Sequence, residues 1–155
     1  MISGFVTGDA AVIARFQALP GTMRAAVVDA LKREWFRVQA LVVTSKLSGD
    51  PLRRRTGVLA SSINVGGPQT ATAFEDAGTT ITARIGTRVR YGAVHENGGT
   101  FQIPEHGRMG HIVRAHTATF PQRSFLRSTL AEERGNIRLA IERAVKRAIA
   151  ESAGH

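Results

Sequence analysis

Apolar residues recur at helical spacing in two long stretches of the chain. The first stretch begins after Thr22, which can cap a helix, and stops at Ser48–Gly49–Asp50–Pro51. Its predicted apolar face comprises Met23, Val27, Ala30, Leu31, Trp35, Val38, Leu41 and Val42. The second stretch begins after Ser124, which can cap a helix, and its predicted apolar face comprises Phe125, Leu126, Leu130, Ile137, Ile141, Ala144, Val145 and Ile149. Both patterns predict long amphipathic helices.

Shorter elements are predicted around these helices. Ile2–Thr7 fits a short strand, and Asp9 can cap a helix over Ala10–Leu19 that Pro20–Gly21 ends. In the C-terminal helix, Glu142 and Lys146 have the spacing of a favourable ion pair.

A period of two, typical of strands, appears in the middle of the chain. Thr79–Tyr91 alternates, with Arg84, Arg88 and Arg90 on the face opposite the apolar residues. The turn residues Asp76–Ala77–Gly78 precede it, and Gln69–Glu75 alternates weakly, so the two runs predict a β-hairpin. His111–Thr119 predicts a last strand.

The order of elements, helices then strands then one helix, predicts an α+β fold. We expect an antiparallel sheet with a long central helix and a C-terminal helix packed on it, in one domain over residues 1–155. The glycine-rich residues 96–110 predict a flexible loop, and residues 151–155 predict a frayed tail.

Composition narrows the classes of protein. Hydrophobic residues make up 43%, enough for a core at this length, and the lack of cysteine excludes disulfides and thiolate sites. No apolar run reaches the ~20 residues that a membrane helix needs. The first residues also lack the pattern of a secretion signal, so no membrane association is expected.

The charge is strongly positive, at +9, and most cations are arginine. Such a surface attracts nucleic acid, anionic membranes or acidic proteins, or only aids solubility. Two clusters are candidate subunit or DNA interfaces, and each can equally be a solvated surface: Arg53, Arg54 and Arg55, and Arg84, Arg88 and Arg90. No aromatic residue interleaves with the second cluster, so any DNA contact should be to phosphate.

No catalytic or metal-binding pattern is evident. His95–Glu96 begins like a zinc-protease motif, but position 99 is Gly and the segment is not expected to be helical. His106, His111 and His116 are spaced by five, which on a strand turns neighbours to opposite faces. We therefore expect neither an enzyme nor a cofactor nor a bound metal.

Three segments, read in order, resemble a known phage family. Arg54–Leu59 followed by Ser61–Ile63 resembles its "Arg-Thr-Gly-x-Leu…Ser-Ile" segment. Tyr91–Gly99 resembles "Tyr-x-x-x-His-Glu-x-Gly", and Pro121–Leu126 resembles "Pro-x-Arg-x-Phe-Leu". The matching residues are Thr56, Gly57, Leu59, Tyr91, His95, Glu96, Gly98, Pro121, Arg123, Phe125 and Leu126. The family comprises head–tail joining and tail-completion proteins of long-tailed phages, including tail-terminator-like neck proteins.

The resemblance implies a structural virion protein without catalytic activity. It implies an α+β subunit in a ring, usually a hexamer, that completes the tail tube and joins it to the head connector or stopper protein. Partners would be the tail tube protein, the connector and DNA in the channel. The protein would reside in the virion neck and, during assembly, in the host cytoplasm. The family often has Pro where this chain has Ser124. The main alternative is a basic DNA-binding module outside any particle, and a hydrolase is more distant.

Overall fold

The computed structural model describes residues 2–3, 21–49, 51–52, 56–108 and 111–153. The helix expected over Ala10–Leu19 and the run Arg53, Arg54 and Arg55 therefore lie outside the described residues. Of the strand expected over Ile2–Thr7, the structure describes Ile2–Ser3.

Helices and strands alternate irregularly along the described chain. The helices are α1 (Gly21–Leu41), α2 (Val58–Ile63), α3 (Arg90–Asn97) and α4 (Leu126–Ala153), and Val42–Lys46 continue α1 as a π-helical segment. The strands are β1 (Ile2–Ser3), β2 (Ala73–Asp76), β3 (Ile81–Arg84), β4 (Gly86–Thr87), β5 (Gly99–Ile103), β6 (His106–Arg108), β7 (His111–Val113) and β8 (His116–Phe120). All described pairing is antiparallel, and the α+β class is confirmed. The strands form separate pairs, β1–β4, β2–β3, β5–β8 and β6–β7, rather than the single sheet expected.

Helix α1 buries the face that its sequence predicts. Val27, Ala30, Trp35 and Val38 are buried, and Val42 continues this face into the π-helical segment. Side chains three and four residues apart share one side of a helix, so the apolar spacing alone determines which side is buried. The prediction of a long central helix is confirmed.

Helices α1 and α4 lie against each other along much of their lengths. Arg37 bridges them through an ion pair of 2.6 Å with Glu133, and Lys46 makes one of 2.7 Å with Glu132. The Arg37 guanidinium also meets Glu34 on its own helix, so it is held from two sides. These contacts set the relative positions of the two helices beside the apolar seam.

Two details of α4 differ from the sequence-based expectations. The helix continues to Ala153, so Glu151 and its neighbours are helical, whereas a frayed tail was expected from residue 151. Glu142 pairs with Arg138 at 2.8 Å rather than with Lys146, because the side chain turns toward the preceding helical turn.

The core lies where the end of α1, the start of α4 and α2 meet. Its buried side chains are Val42, Leu47, Leu52, Ala60, Ile63 and Phe125. Ile63 and Phe125 are fully buried, and each such side chain contributes roughly 1.5–3 kcal/mol. The beginning of α4 is therefore fixed in the core, while much of its remaining length is only half-buried.

The hairpin β2–β3 forms as predicted and packs on α1. Asp76 pairs with Ile81 next to the turn, and Ala73 pairs with Arg84 at the other end. The Trp35 ring lies 5.5 Å from that of Phe74, and Trp35 Nε1 donates a 2.9 Å hydrogen bond to the Arg84 carbonyl. The aromatic contact and the hydrogen bond join the hairpin to the helical layer.

The strand predicted to reach Tyr91 is wrong in its last part. The Val89 amide donates to Thr87 Oγ1 at 3.0 Å, and the chain then enters α3. Gly92 permits this helix to approach closely, because a Cβ there would lie 2.9 Å from Thr87 Cγ2. The hydrogen bond to Thr87 and the tight packing of Gly92 thus override the alternating pattern.

The flexible loop predicted over residues 96–110 is also wrong as secondary structure. The segment contains the end of α3, then β5 and β6, which pair with β8 and β7. Its alternation was obscured by glycines such as Gly99, which has φ +128° and lies opposite Phe120. We call residues 99–120 the arm.

Candidate functional site

Two of the family-like segments meet at the base of the arm. His95 and Glu96 end the last turn of α3, while Pro121–Leu126 leads into α4. The Arg123 amide donates a 2.7 Å hydrogen bond to the His95 carbonyl, which joins the two segments. The chain leaves this junction as the arm and returns to it.

The Glu96 carboxylate is the centre of the junction and is fully buried. Its Oε2 accepts hydrogen bonds from the amides of Phe125 at 2.8 Å and Leu126 at 2.9 Å. Its Oε1 accepts from Ser124 Oγ at 2.7 Å, and from the Arg127 amide at 3.0 Å and Arg127 Nε at 3.2 Å. Glu96 therefore caps the N-terminus of α4, whose amides would otherwise lack partners.

Ser124 was expected to cap α4, but Glu96 caps the helix in its place. Ser124 can cap the helix by accepting a backbone hydrogen bond, but here its hydroxyl donates to Glu96 instead. The first turn of α4 contains no acidic residue of its own. The negative charge that favours a helix N-terminus comes from a residue about thirty positions earlier.

The surroundings of Glu96 keep it ionised. Burial alone would raise the pKa of Glu96, but hydrogen bonds from the Leu126 and Arg127 amides, Ser124 and the Phe125 amide together lower it. Both oxygens are occupied by donors and the side chain has no access to solvent. This arrangement suits a structural anchor and not a proton acceptor for a substrate.

Gly98 is the position where the arm departs from the junction. Its φ is +65°, and a Cβ there would lie 2.6 Å from the Gln122 amide nitrogen. Gln122 Nε2 donates to the Glu96 carbonyl at 3.2 Å, which holds the returning strand beside the departing one. Glycine is therefore required both for its backbone conformation and for the close approach.

The first family-like segment, which leads into α2, packs against α3. Gly57 has φ +76° and precedes α2, and Thr56 Oγ1 accepts a long hydrogen bond from the Val58 amide. Leu59 lies against Gly92 of α3, where a Cβ would come within 3.1 Å of Leu59 Cδ1. The first and third segments therefore both contact α3, which belongs to the second segment.

Tyr91 and His95 form the outer surface of α3. Tyr91 is 42% exposed, and its ring makes an edge contact with that of His95 at 6.2 Å. Burial and the nearby charge of Arg123 lower the pKa of His95. His95 is helical, contrary to the expectation for this segment, and Gly99 in β5 leaves the zinc-protease motif incomplete.

The arm has two chemically different faces at its base. Residues directly opposite in an antiparallel pair share a face. Phe101, Ile103, Ala118 and Phe120 lie on one face together with His116, which is opposite Ile103, and the two phenylalanine rings there are 6.1 Å apart. Thr100, Gln102, Thr117 and Thr119 lie on the other face, where the Thr100 and Thr119 hydroxyls are 2.9 Å apart. Phe101 remains 37% exposed, and Ile112 near the tip is 74% exposed.

The basic residues singled out from the sequence do not form the expected strand face. Arg84 is half-buried on β3, Arg88 follows β4 and Arg90 begins α3, so the three do not share one strand. Sequence reasoning missed a different group: Arg33 of α1 and Arg143 and Arg147 of α4. These three line a shallow groove of about 360 Å³ together with Asp29 and Glu151. None of the three arginines has an ion pair among the described residues.

The described part of the chain contains neither a metal-binding cluster nor a membrane-spanning helix. No group of three or more histidines and carboxylates is arranged to hold a metal ion among those residues. Within the same ranges, no helix combines the length and apolar character needed to cross a bilayer.

Comparison of the chain with protein-family models, with curated proteins and with solved structures finds no match.

Proposed function

We propose that this protein is a structural subunit of a tailed phage-type particle, and that it forms a ring which completes the tail tube and joins it to the head connector. The observation that carries the proposal is the junction at Glu96, where two segments that resemble the tail-completion family meet and fix the base of an exposed arm. Residues of the resemblance thus serve one structural purpose, which is to hold α3, α4 and the arm together.

The surface of the arm supports an assembly function. Phe101 and Ile112 expose large apolar side chains, although the described core lies elsewhere. Exposed apolar groups on an element that little else in the subunit covers are typical of protein–protein contact surfaces. A ring subunit needs such surfaces more than it needs a pocket, because each copy must contact two neighbours and the axial partners.

The experiment is to determine the mass and the shape of the protein alone, with the tail tube protein, and in purified particles. Native mass spectrometry and electron microscopy should show a closed ring, expected to be hexameric, either alone or with the tube. A protein that stays a strict monomer in particles, or is missing from them, would refute the proposal.

A second candidate function is non-specific DNA binding outside a particle, and it is favoured by the arginine-lined groove between α1 and α4. Arg33, Arg143 and Arg147 have no carboxylate partner among the described residues and are exposed. Duplex DNA would contact them through phosphate, and affinity would fall steeply with salt. Asp29 and Glu151 share the groove and reduce its net charge, so we place this function second.

DNA titrations at several salt concentrations test this second function. The double variant R143E/R147E should weaken binding and reduce the dependence on salt, whereas R138E is the control, because Glu142 already neutralises Arg138. Equal effects of the two variants would show that the groove does not bind DNA.

A further inference from the structure

The outer edges of the β5–β8 ribbon lack the features that usually protect strand edges. Gly99–Ile103 and His116–Phe120 contain no Lys, Arg, Asp, Glu or Pro, in a chain where 21% of residues are charged. Proteins normally guard exposed edges with charges, prolines or bulges, because unpaired backbone groups there recruit other strands. Among the described strands, β5 and β8 pair only with each other, so each keeps one open edge.

The ribbon also has little other support. Its two strands contact each other far more than any other described element. A two-stranded ribbon is marginally stable by itself in water and usually requires a further strand or a covering layer. Phe101 remains exposed on the apolar face, so neither the edges nor this face is satisfied within one copy.

We propose that the open β5 edge of one copy pairs with the open β8 edge of a second copy, so that neighbouring arms join in one continuous antiparallel sheet. This inference rests on the proposed ring and names the contact that closes it. Both edges are five residues long and contain no Lys, Arg, Asp or Glu, so neither their lengths nor a fixed charge opposes their pairing.

Pairing between copies satisfies both open edges of every copy, whereas one strand from a different protein would satisfy only one of them. Pairing β5 with β8 joins two different edges, and each added copy still presents one open edge of each kind. Such a heterologous contact repeats from copy to copy until rotation closes it into a ring. Pairing of like edges, β5 with β5, would instead be isologous.

The joined sheet would keep the two faces of the ribbon separate. In a register that keeps like faces together, Phe101 and Phe120 of every copy would lie on one side. Thr100 and Thr119 of every copy would line the other side. One surface of the ring would thus carry the phenylalanines together with His116, and the opposite surface would be polar and uncharged.

Cysteine cross-linking tests this contact directly, because the chain contains no cysteine. The single variants T100C and Q102C place a thiol on β5, and T117C and T119C place one on β8, all on the same face. Each variant is assembled alone and in equal mixture with each variant of the other strand, then oxidised and examined on non-reducing gels. T79C, in the exposed turn between β2 and β3, is the control.

We expect covalent dimers in mixtures that match one register, and none in the single variants or with T79C. Dimers within single variants would show that like edges pair, and rings without any cross-link would show that the arms do not pair, so both overturn the inference. Cross-links to a different protein only would overturn it as well. Cross-linked copies that never close into rings would uphold the edge pairing and refute the proposed ring.

Discussion

Replacing Glu96 with Gln tests whether the buried carboxylate anchors α4. Glutamine has nearly the same shape, but one of its two terminal atoms is an NH2 group that donates hydrogen bonds. The NH2 group would replace either Oε2, which accepts from the amides of Phe125 and Leu126, or Oε1, which accepts from Ser124 Oγ and Arg127. Donors would then face donors in a buried site.

The expected loss is large for an isosteric change. A buried donor without a partner costs roughly 1–3 kcal/mol, and loss of a helix cap costs about 0.5–2 kcal/mol. We expect E96Q to lower the free energy of unfolding by about 3 kcal/mol, since at least two donors lose their acceptor. At roughly 2–4 °C per kcal/mol, the melting temperature should fall by about 6–12 °C.

Urea unfolding can follow this change through the single tryptophan. Trp35 is buried beside Phe74, so its fluorescence should report loss of the helical layer, and circular dichroism should give the same midpoint. E105Q is the matched control, because Glu105 is exposed and should change stability by less than about 0.5 kcal/mol. A loss below that limit for E96Q would refute the anchoring role.

The effect of E96Q should also depend on pH. The pKa of Glu96 is lowered in the folded protein from its ordinary value of 4.5, so its ionised form contributes stability that is present above that pH. This contribution is lost as the pH falls through the folded pKa. The difference between wild type and E96Q should therefore be constant near neutral pH and shrink below about 4.5. A difference that persists unchanged in acid would mean that packing, not charge, is responsible.

Three further predictions concern the surroundings of the junction. G92A should destabilise the protein by about 1–3 kcal/mol because its Cβ would meet Thr87, whereas G135A, in an open helical position, should stabilise it by about 0.5–1 kcal/mol. Similar melting shifts for both would contradict the close packing of α3. S62A should cost about 1–3 kcal/mol by removing the 2.6 Å partner of the buried Thr87 hydroxyl, and T87V should cost more, because the Val89 amide also loses its acceptor. The double variant should lose less stability than the sum of the two single losses; strict additivity in denaturation would argue against the coupling. Amide hydrogen exchange in the arm should be fast in the free subunit and slow in the ring; strong protection before assembly would contradict a docking role.

The helices could be predicted from the sequence because their signal is local. The apolar spacing in α1 and α4 defines a face whatever the rest of the chain does, and Trp35 and Val38 are buried as expected. The β2–β3 hairpin was likewise predicted from its alternation and its turn residues. In these elements, residues a few positions apart are enough to determine the secondary structure.

The junction could not be predicted, because its determinants are far apart in sequence. The alternating run that ends at Tyr91 reads as strand until the packing of Gly92 against Thr87 is known. Glu96 reads as a polar residue two positions before a glycine, and nothing local reveals that its partners are the first amides of α4. The lack of an acidic residue in the first turn of α4 gives no warning of this cap, because α1, α2 and α3 share it.

Because Gly98 and Gln122 are held side by side, the two ends of the arm are fixed independently of what lies between them. An inserted or exchanged segment at this place would need to satisfy only a short end-to-end distance. Doubling the length of a flexible segment costs only about 0.6 kcal/mol in closure entropy. At the junction, arms of different length or sequence could therefore replace one another without moving the start of α4.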